Sequence, residues 1–259
     1  MKAFVINLES EPERWTHMRK AFEGTPFLAE RVAAIPGRTL QLPIPEFDEV
    51  RFRQFHGRGV NIFEVACYLS HLKAIAAFLQ THDSHAMICE DDLHPKADIA
   101  SVLTSLMKTS FAWNIERLTG LSPGIPWKVT ELANNYSLNV QMGRLKGCGA
   151  YILDRKAAGA FLSGLIPMWL PWDHAADREW PLGLNAVSVS PFPISQTEEV
   201  FVSSIQGNSQ PRLSSQERWR TTYPYQIMNE CSRWWHRGIY AAVLKLRFLG
   251  SRSLESGTH

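Results

Sequence analysis

Residues 86–93 form an apolar run, Ala86-Met87-Ile88-Cys89, that ends abruptly in three acids, Glu90-Asp91-Asp92, before Leu93. Four consecutive apolar residues predict a short strand buried on both faces. Three carboxylates cannot follow it into apolar packing without a large desolvation cost, so they belong at the mouth of a sheet. If the backbone stays extended, Glu90 and Asp92 point to one side and Asp91 to the other. Glu90-x-Asp92 is then a pair of hard oxygen donors, suited to Mg²⁺ or Mn²⁺. The competing reading is a polar strand end in which Asp92 caps a following helix. A second acidic pair, Asp173 and Asp177, stands four residues apart at a predicted helix start after Pro171-Trp172. Asp173 is either the N-cap of that helix or a general base for a second reacting group. Between these stretches, Gly147-Cys148-Gly149-Ala150 is a small-residue run that lets backbone approach a ligand or another strand closely.

The elements that must position these groups begin at the N-terminus. Phe4-Val5-Ile6-Asn7-Leu8 predicts a first central strand. Ser10 and Glu13 have capping-box spacing for a helix reaching about residue 22. A strand leading directly into a helix is the usual opening of an α/β nucleotide-binding half, where ligands bind beyond the carboxyl ends of strands. That rule brings Asn7 and Arg14 to the same rim as the acids, and Arg is the preferred phosphate donor. No glycine-rich phosphate loop follows the strand, which weighs against a dinucleotide fold. Residues 31–60 are broken by Pro and Gly and carry Arg51, Arg53, His56 and Arg58, a basic stretch that can meet a diphosphate but is expected to be a solvated loop.

Apolar residues from Ile62 to Leu79 recur at spacings of three and four, predicting a helix over 61–80 with Glu64 and His71 on one face. Ser70 and His71 can approach a ligand, although packing can satisfy such a histidine as well. A helix is expected over 95–108. Residues 113–140 lack periodicity, and any strands there are expected to be short. A strand follows Gly149, with a helix over 155–165. Beyond Pro191-Phe192-Pro193, the residues Ser203, Ser204, Gly207, Asn208 and Ser209 predict a mobile loop.

Hydrophobic residues make up 45% of the 259 and charged residues 20%, an ordinary globular balance. A net charge of +2 does not point to nucleic acid. No apolar run is expected to span a bilayer, and early charges at Glu9, Glu11 and Glu13 make the first segment too short for a signal peptide. Cys67, Cys89, Cys148 and Cys231 lie far apart without C-x-x-C spacing, which fits a reducing cytoplasm. The chain divides into residues 1–210 and a basic, aromatic helical extension over 211–259. Eight Lys and Arg between Arg212 and Arg252 oppose only Glu217 and Glu230. A helix with Trp234 and Trp235 can lie in an anionic membrane interface through 233–249, or it can pack on the domain. The tail from Ser251 is expected to fray.

Five blocks in order resemble glycosyltransferase family 25, the lipopolysaccharide/lipooligosaccharide galactosyltransferase type that also has relatives acting on collagen. They are Val5-Ile6-Asn7-Leu8 with Glu13-Arg14-Trp15, Glu64-Val65-Ala66-Cys67-Tyr68-Leu69-Ser70-His71-Leu72, Ile88 to Asp92, Gly149 to Leu153, and Pro171-Trp172-Asp173-His174. The resemblance covers roughly residues 3–205 and departs at Phe63, where such proteins usually carry Gly. It implies an α/β, GT-A-like fold with a central, mostly parallel sheet. The implied reaction is inverting transfer of a hexose, usually galactose, from a UDP-sugar to a glycan hydroxyl, such as that of a lipopolysaccharide core. In that reading Asp92, with Glu90, binds Mn²⁺ or Mg²⁺. Glu90 also helps hold the ribose, and Asn7, Arg14, Asp91 and Gly149 line the donor. Asp173 is the base, with Asp177 in reserve, and His94 and His174 are candidates for a further metal ligand. The implied location is the cytoplasm, at the inner face of its membrane if the acceptor is lipid-linked. Two other readings are a metal-dependent phosphohydrolase, which would lack an Asp-x-Asp-x-Thr nucleophile motif here, and a non-catalytic glycan-binding relative.

Overall fold

The computed structural model describes residues 1–196 and 210–256. The serine- and glycine-bearing loop expected to be mobile lies outside them. In chain order the elements open with β1 (Lys2–Asn7), α1 (Pro12–Ala21) and β2 (Leu28–Ala33). Next come α2 (Glu49–His56), α3 (Ile62–Leu79), β3 (His85–Cys89), β4 (Leu93–Pro95) and α4 (Ile99–Met107). The middle of the chain supplies β5 (Ile115–Arg117), β6 (Pro126–Glu131), β7 (Ser137–Gln141), β8 (Ala150–Asp154) and α5 (Arg155–Gly164). α6 (Trp172–Ala176), β9 (Ala186–Ser190), β10 (Ile194–Gln196), α7 (Ser215–Arg220) and α8 (Thr222–Ser256) complete it.

Eight strands form one sheet in the order β2-β1-β3-β8-β5-β9-β7-β6, and β10 pairs with β4 in a small second sheet. The fold is α/β and GT-A-like. Its parallel half is β2-β1-β3, with a further parallel pairing of β5 and β9. β8 enters antiparallel between β3 and β5, and β6-β7-β9 is antiparallel. Alternation along β1 sends Ala3 and Val5 into one apolar core, with Met18, Val102 and Leu244, and Phe4 and Ile6 into the other, with Val65, Ile75 and Phe161. Each face of the sheet is therefore covered, as the unbroken apolar runs of β1 and β3 require.

Local chemistry explains most element ends. Pro12 takes the first position of α1 with Glu11 as N-cap, so the expected box between Ser10 and Glu13 does not form. A proline at that position has no N–H to leave unsatisfied and is already set for helix. The box forms instead at α3, where the Asn61 side chain accepts from the backbone and the Glu64 carboxylate accepts from Asn61 N. Phe63, the departure from the family pattern, packs on Gly37: a Cβ there would lie 2.5 Å from the Phe63 ring. α3 is also apolar enough, at mean hydropathy 1.5 over 18 residues, to cross a membrane by composition, contrary to expectation. It is a core helix here, with Val65, Tyr68, Leu72, Ile75 and Phe78 buried against the sheet and α5.

The basic stretch expected to be irregular and solvated is partly ordered. β2 extends the sheet, α2 is capped by Asp48, the Arg58 guanidinium pairs with the Glu64 carboxylate, and Arg51 stacks 4.5 Å from the Trp169 ring centroid. α8 does not fray at Ser251 but runs to Ser256. It packs against α2, β6 and β7.

Candidate active site

β1 and β3 run parallel with Val5 opposite Cys89, so their carboxyl ends open on one rim. β8 runs the other way with Ala150 opposite Cys89, which brings its first turn to that rim as well. Glu90 N donates to the Gly149 carbonyl at 2.8 Å. A Cβ on Gly149 would stand 3.3 Å from Leu93 Cδ2 and 3.5 Å from Glu90 Oε2, so the absent side chain leaves the Glu90 carboxylate its space.

The strand ends at Cys89 and the chain bends at Asp91 and Asp92, so the division of the three acids is not the alternation of an extended backbone. Asp91 turns inward, where Oδ2 accepts from Asn7 Nδ2 at 2.6 Å and Oδ1 lies 3.2 Å from Arg14 Nε. Asn7 Nδ2 also donates to the Glu11 carbonyl, and its Oδ1 accepts from Arg31 Nε. Asn7 and Asp91, expected at the donor, are thus buried and spent on each other and on neighbouring backbone. These bonds link the ends of β1 and β3. Burial pushes the Asp91 carboxyl up, against the opposing pull of Arg14 and Asn7.

Glu90 and Asp92 turn to the other side and share one donor. Gln196 Nε2, at the end of β10, lies 3.3 Å from Glu90 Oε2 and 3.2 Å from Asp92 Oδ2. Arg14 Nη2 approaches Asp92 Oδ2 at 3.5 Å. Burial and the charge of Glu90 push the Asp92 carboxyl up to about 6, the signature of two carboxylates short of positive charge. Hard oxygen donors so placed suit Mg²⁺ or Mn²⁺.

Beneath them α3 presents Cys67 and His71, one helical turn apart. His71 is fully buried; its Nδ1 lies 3.2 Å from Tyr151 Oη and its Nε2 3.6 Å from Glu90 Oε1. Cys67, His71 and Glu90 place sulfur, nitrogen and oxygen within 4.8 Å of one another, a softer donor set than the acid pair. The histidine delivered to Glu90 is therefore His71. The expected candidates lie elsewhere: His94 is exposed with its ring against His17, and His174 packs edge-on to His56.

Asp173 stands in the first turn of α6, whose N-cap is Pro171, so it is not the cap. α6 is seated by Trp172, whose ring stacks on His71 at 4.6 Å and 6° and meets Tyr68 and Phe161 edge-on. Burial pushes the Cys67 and Cys148 thiols up, and the charges of both Glu90 and Asp173 act on each of them.

Asp177 faces the other way. Its Oδ1 lies 2.9 Å from Arg237 Nη2 and 3.7 Å from Arg117 Nη2; its Oδ2 lies 3.2 Å from Arg233 Nη2 and accepts from Leu145 N. With its oxygens taken by three guanidinium groups and a backbone N–H, Asp177 offers no lone pair to an acceptor hydroxyl. Its geometry makes it the pivot that holds α8 to the domain, in place of the reserve base implied by the family resemblance.

The family description "Glycosyltransferase family 25 (LPS biosynthesis protein)" matches residues 1–176. The chain belongs to glycosyltransferase family 25. The match includes the acid-tipped strand, Gly149 and Asp173; Asp177, Gln196 and α8 of this family 25 glycosyltransferase lie beyond it. Two insect proteins, each named "Glycosyltransferase 25 family member", are similar in part. One from Drosophila pseudoobscura pseudoobscura is 30% identical over 95 residues, 35% of this chain and 15% of the relative. One from Drosophila melanogaster is 29% identical over 97 residues, 36% of this chain and 16% of the relative. The chain thus matches only a small part of those relatives' length.

Sequence reasoning assigned no role to Gln196, Trp172, Cys67 or Arg117. Cys67 and His71 carried a usable signal, their spacing of four on a helical pattern. Gln196 carried none, because only the β4–β10 pairing brings residue 196 to residue 92.

Proposed function

We propose that this protein transfers a hexose, galactose in the first instance, from a UDP-sugar to a hydroxyl of a bacterial surface glycan such as the lipopolysaccharide core, with inversion and with a divalent cation. The observation that carries this reading is the Glu90–Asp92 pair at the open rim of β3, sharing the Gln196 amide. Asp92, with Glu90, would hold Mn²⁺ or Mg²⁺; the chemistry such an ion supplies when bound is neutralisation of the charge that grows on the departing diphosphate. Arg14, 3.5 Å from Asp92, adds fixed positive charge to the same rim. Glu90 would also hold the ribose hydroxyls, and the absent side chain of Gly149 leaves the Glu90 carboxylate its space. Asp173 takes the proton from the acceptor hydroxyl as that oxygen attacks the anomeric carbon opposite the diphosphate. A lipid-linked acceptor would put the reaction at the inner face of the cytoplasmic membrane.

The test is to incubate the protein with UDP-galactose and Mn²⁺, with and without lipooligosaccharide acceptors, and to follow UDP and glycoside together. The expected result is UDP release that requires both cation and acceptor and is matched by glycoside. Equal UDP release without acceptor, yielding free galactose, would make the protein a hydrolase. Failure to bind any UDP-sugar would overturn the transferase reading.

A further inference from the structure

Helix α8 carries two interleaved stripes of opposite fate. Arg233, Arg237, Ala241 and Leu244, at helical spacing, are buried against the domain. Trp234, Trp235, Ile239, Val243, Leu246 and Leu249 are exposed, with Trp235 at 68% and Leu246 at 70%. From Trp235 to Leu249 the outward stripe runs about 21 Å at the helical rise. Exposed apolar residues are ordinary when scattered, but a contiguous line of them on one helix marks an interaction surface. The inward stripe excludes the simplest explanation, that this helix is turned the wrong way: its other face is already docked by Arg237 to Glu179 and Asp177.

Charge identifies what covers the outward stripe. Residues 231–250 contain no acid. Lys245 and Arg247 are exposed on the same turns as Val243, Leu246 and Leu249. A symmetric pairing with a second copy would set like cationic residues near one another across the contact. An anionic lipid surface meets the same residues with opposite charge, takes the apolar side chains into its acyl boundary, and favours tryptophan at its headgroup level.

We infer that the outward face of α8, from Trp234 to Leu249, is a docking surface for an anionic phospholipid bilayer, on which the helix lies flat while its inward face stays on the domain. The inference rests on α8 alone and holds whether or not the protein transfers a sugar. Its test is sedimentation of the full-length protein with phosphatidylglycerol/phosphatidylcholine vesicles, which needs no turnover. Binding should rise with the anionic fraction and fall with salt. Lys245→Gln with Arg247→Gln should weaken it roughly 25-fold, at about fivefold per basic residue removed. Trp235→Glu with Leu246→Glu, both at exposed positions, should abolish it while the circular dichroism spectrum and melting temperature stay as in the parent. Unchanged vesicle binding by the Glu pair would overturn the inference. So would a dimer in solution that the Glu pair dissociates, without vesicle binding by the parent: the stripe would then serve a second copy.

Discussion

Asp92 and Asp173 separate binding from turnover in a way substitution can read. Asp92 shares its donor with Glu90 at the end of β3, whereas Asp173 stands in the first turn of α6. Asp92→Ala is expected to abolish Mn²⁺-dependent binding of UDP-galactose in calorimetry while leaving the fold intact. Asp173→Asn should keep that affinity and lower turnover by a factor on the order of 10² to 10⁴, the usual worth of a positioned base. Full activity in Asp173→Asn would move the base elsewhere. A pH effect belongs to this scale too. Burial, with His174 and Arg58 nearby, holds His56 down to about 2, and burial also lowers His174. In the unfolded chain both titrate near 6.5. Above that pH neither contributes to the pH dependence. Below it the unfolded chain takes up protons that the folded one refuses, so stability falls as pH drops, by roughly 1 kcal/mol at pH 5.5 for His56. Urea midpoints at pH 7.5 and 5.5 should show the loss, and His56→Gln should shrink it.

At the scale of elements, the contacts of α6 and α8 matter most. Arg237 donates to both carboxylate oxygens of Glu179, to Asp177 and to the Gln141 carbonyl, all without water access. Removing one partner from such a buried group strands the remaining charges, so Arg237→Met should cost about 3–5 kcal/mol, read as a lower urea midpoint. Trp172→Ala should cost a similar ~3–5 kcal/mol by cavity formation. It should also lower turnover more than UDP-sugar affinity, because α6, which carries Asp173, would lose the ring that stacks on His71. The strands β1, β3 and β8 and the helices α3 and α5 were legible in their residues, since period 2 or 3.6 follows directly from burial on one side or both. β6 and β7 were not. Pro126–Glu131 has one buried residue in six, and its pairing to β7 includes a register shift. Such strands exist because a neighbour supplies their hydrogen bonds, which a local pattern does not record.

For the molecule as a whole, the division at residue 210 has a physical limit. Thr222, Arg233, Arg237, Ala241 and Leu244 of α8 are buried against earlier elements, and Tyr240 Oη donates to the Ala112 carbonyl at 2.5 Å. The C-terminal helix is therefore expected to melt with the sheet. Far-ultraviolet circular dichroism and tryptophan fluorescence should give coincident urea transitions. An early transition confined to helical signal would show α8 to be a separate unit.

Residue order alone determined that an acid-tipped strand buried on both faces would open on the same rim as β1, with a long apolar helix before it and a small-residue strand after it. Those features follow from local periodicity and from the cost of burying charge. It did not determine the split of the acids, because the chain leaves the strand at Cys89 and bends at Asp91 and Asp92. Only the tertiary structure decided which groups these acids meet. It sent Asp91 to Asn7, gave Gln196 to Glu90 and Asp92, set His71 in place of His94 or His174 beside Glu90, and bound Asp177 to three arginines. Each of these contacts joins residues far apart in the chain, and their distances depend on strand order and helix docking that no local spacing encodes.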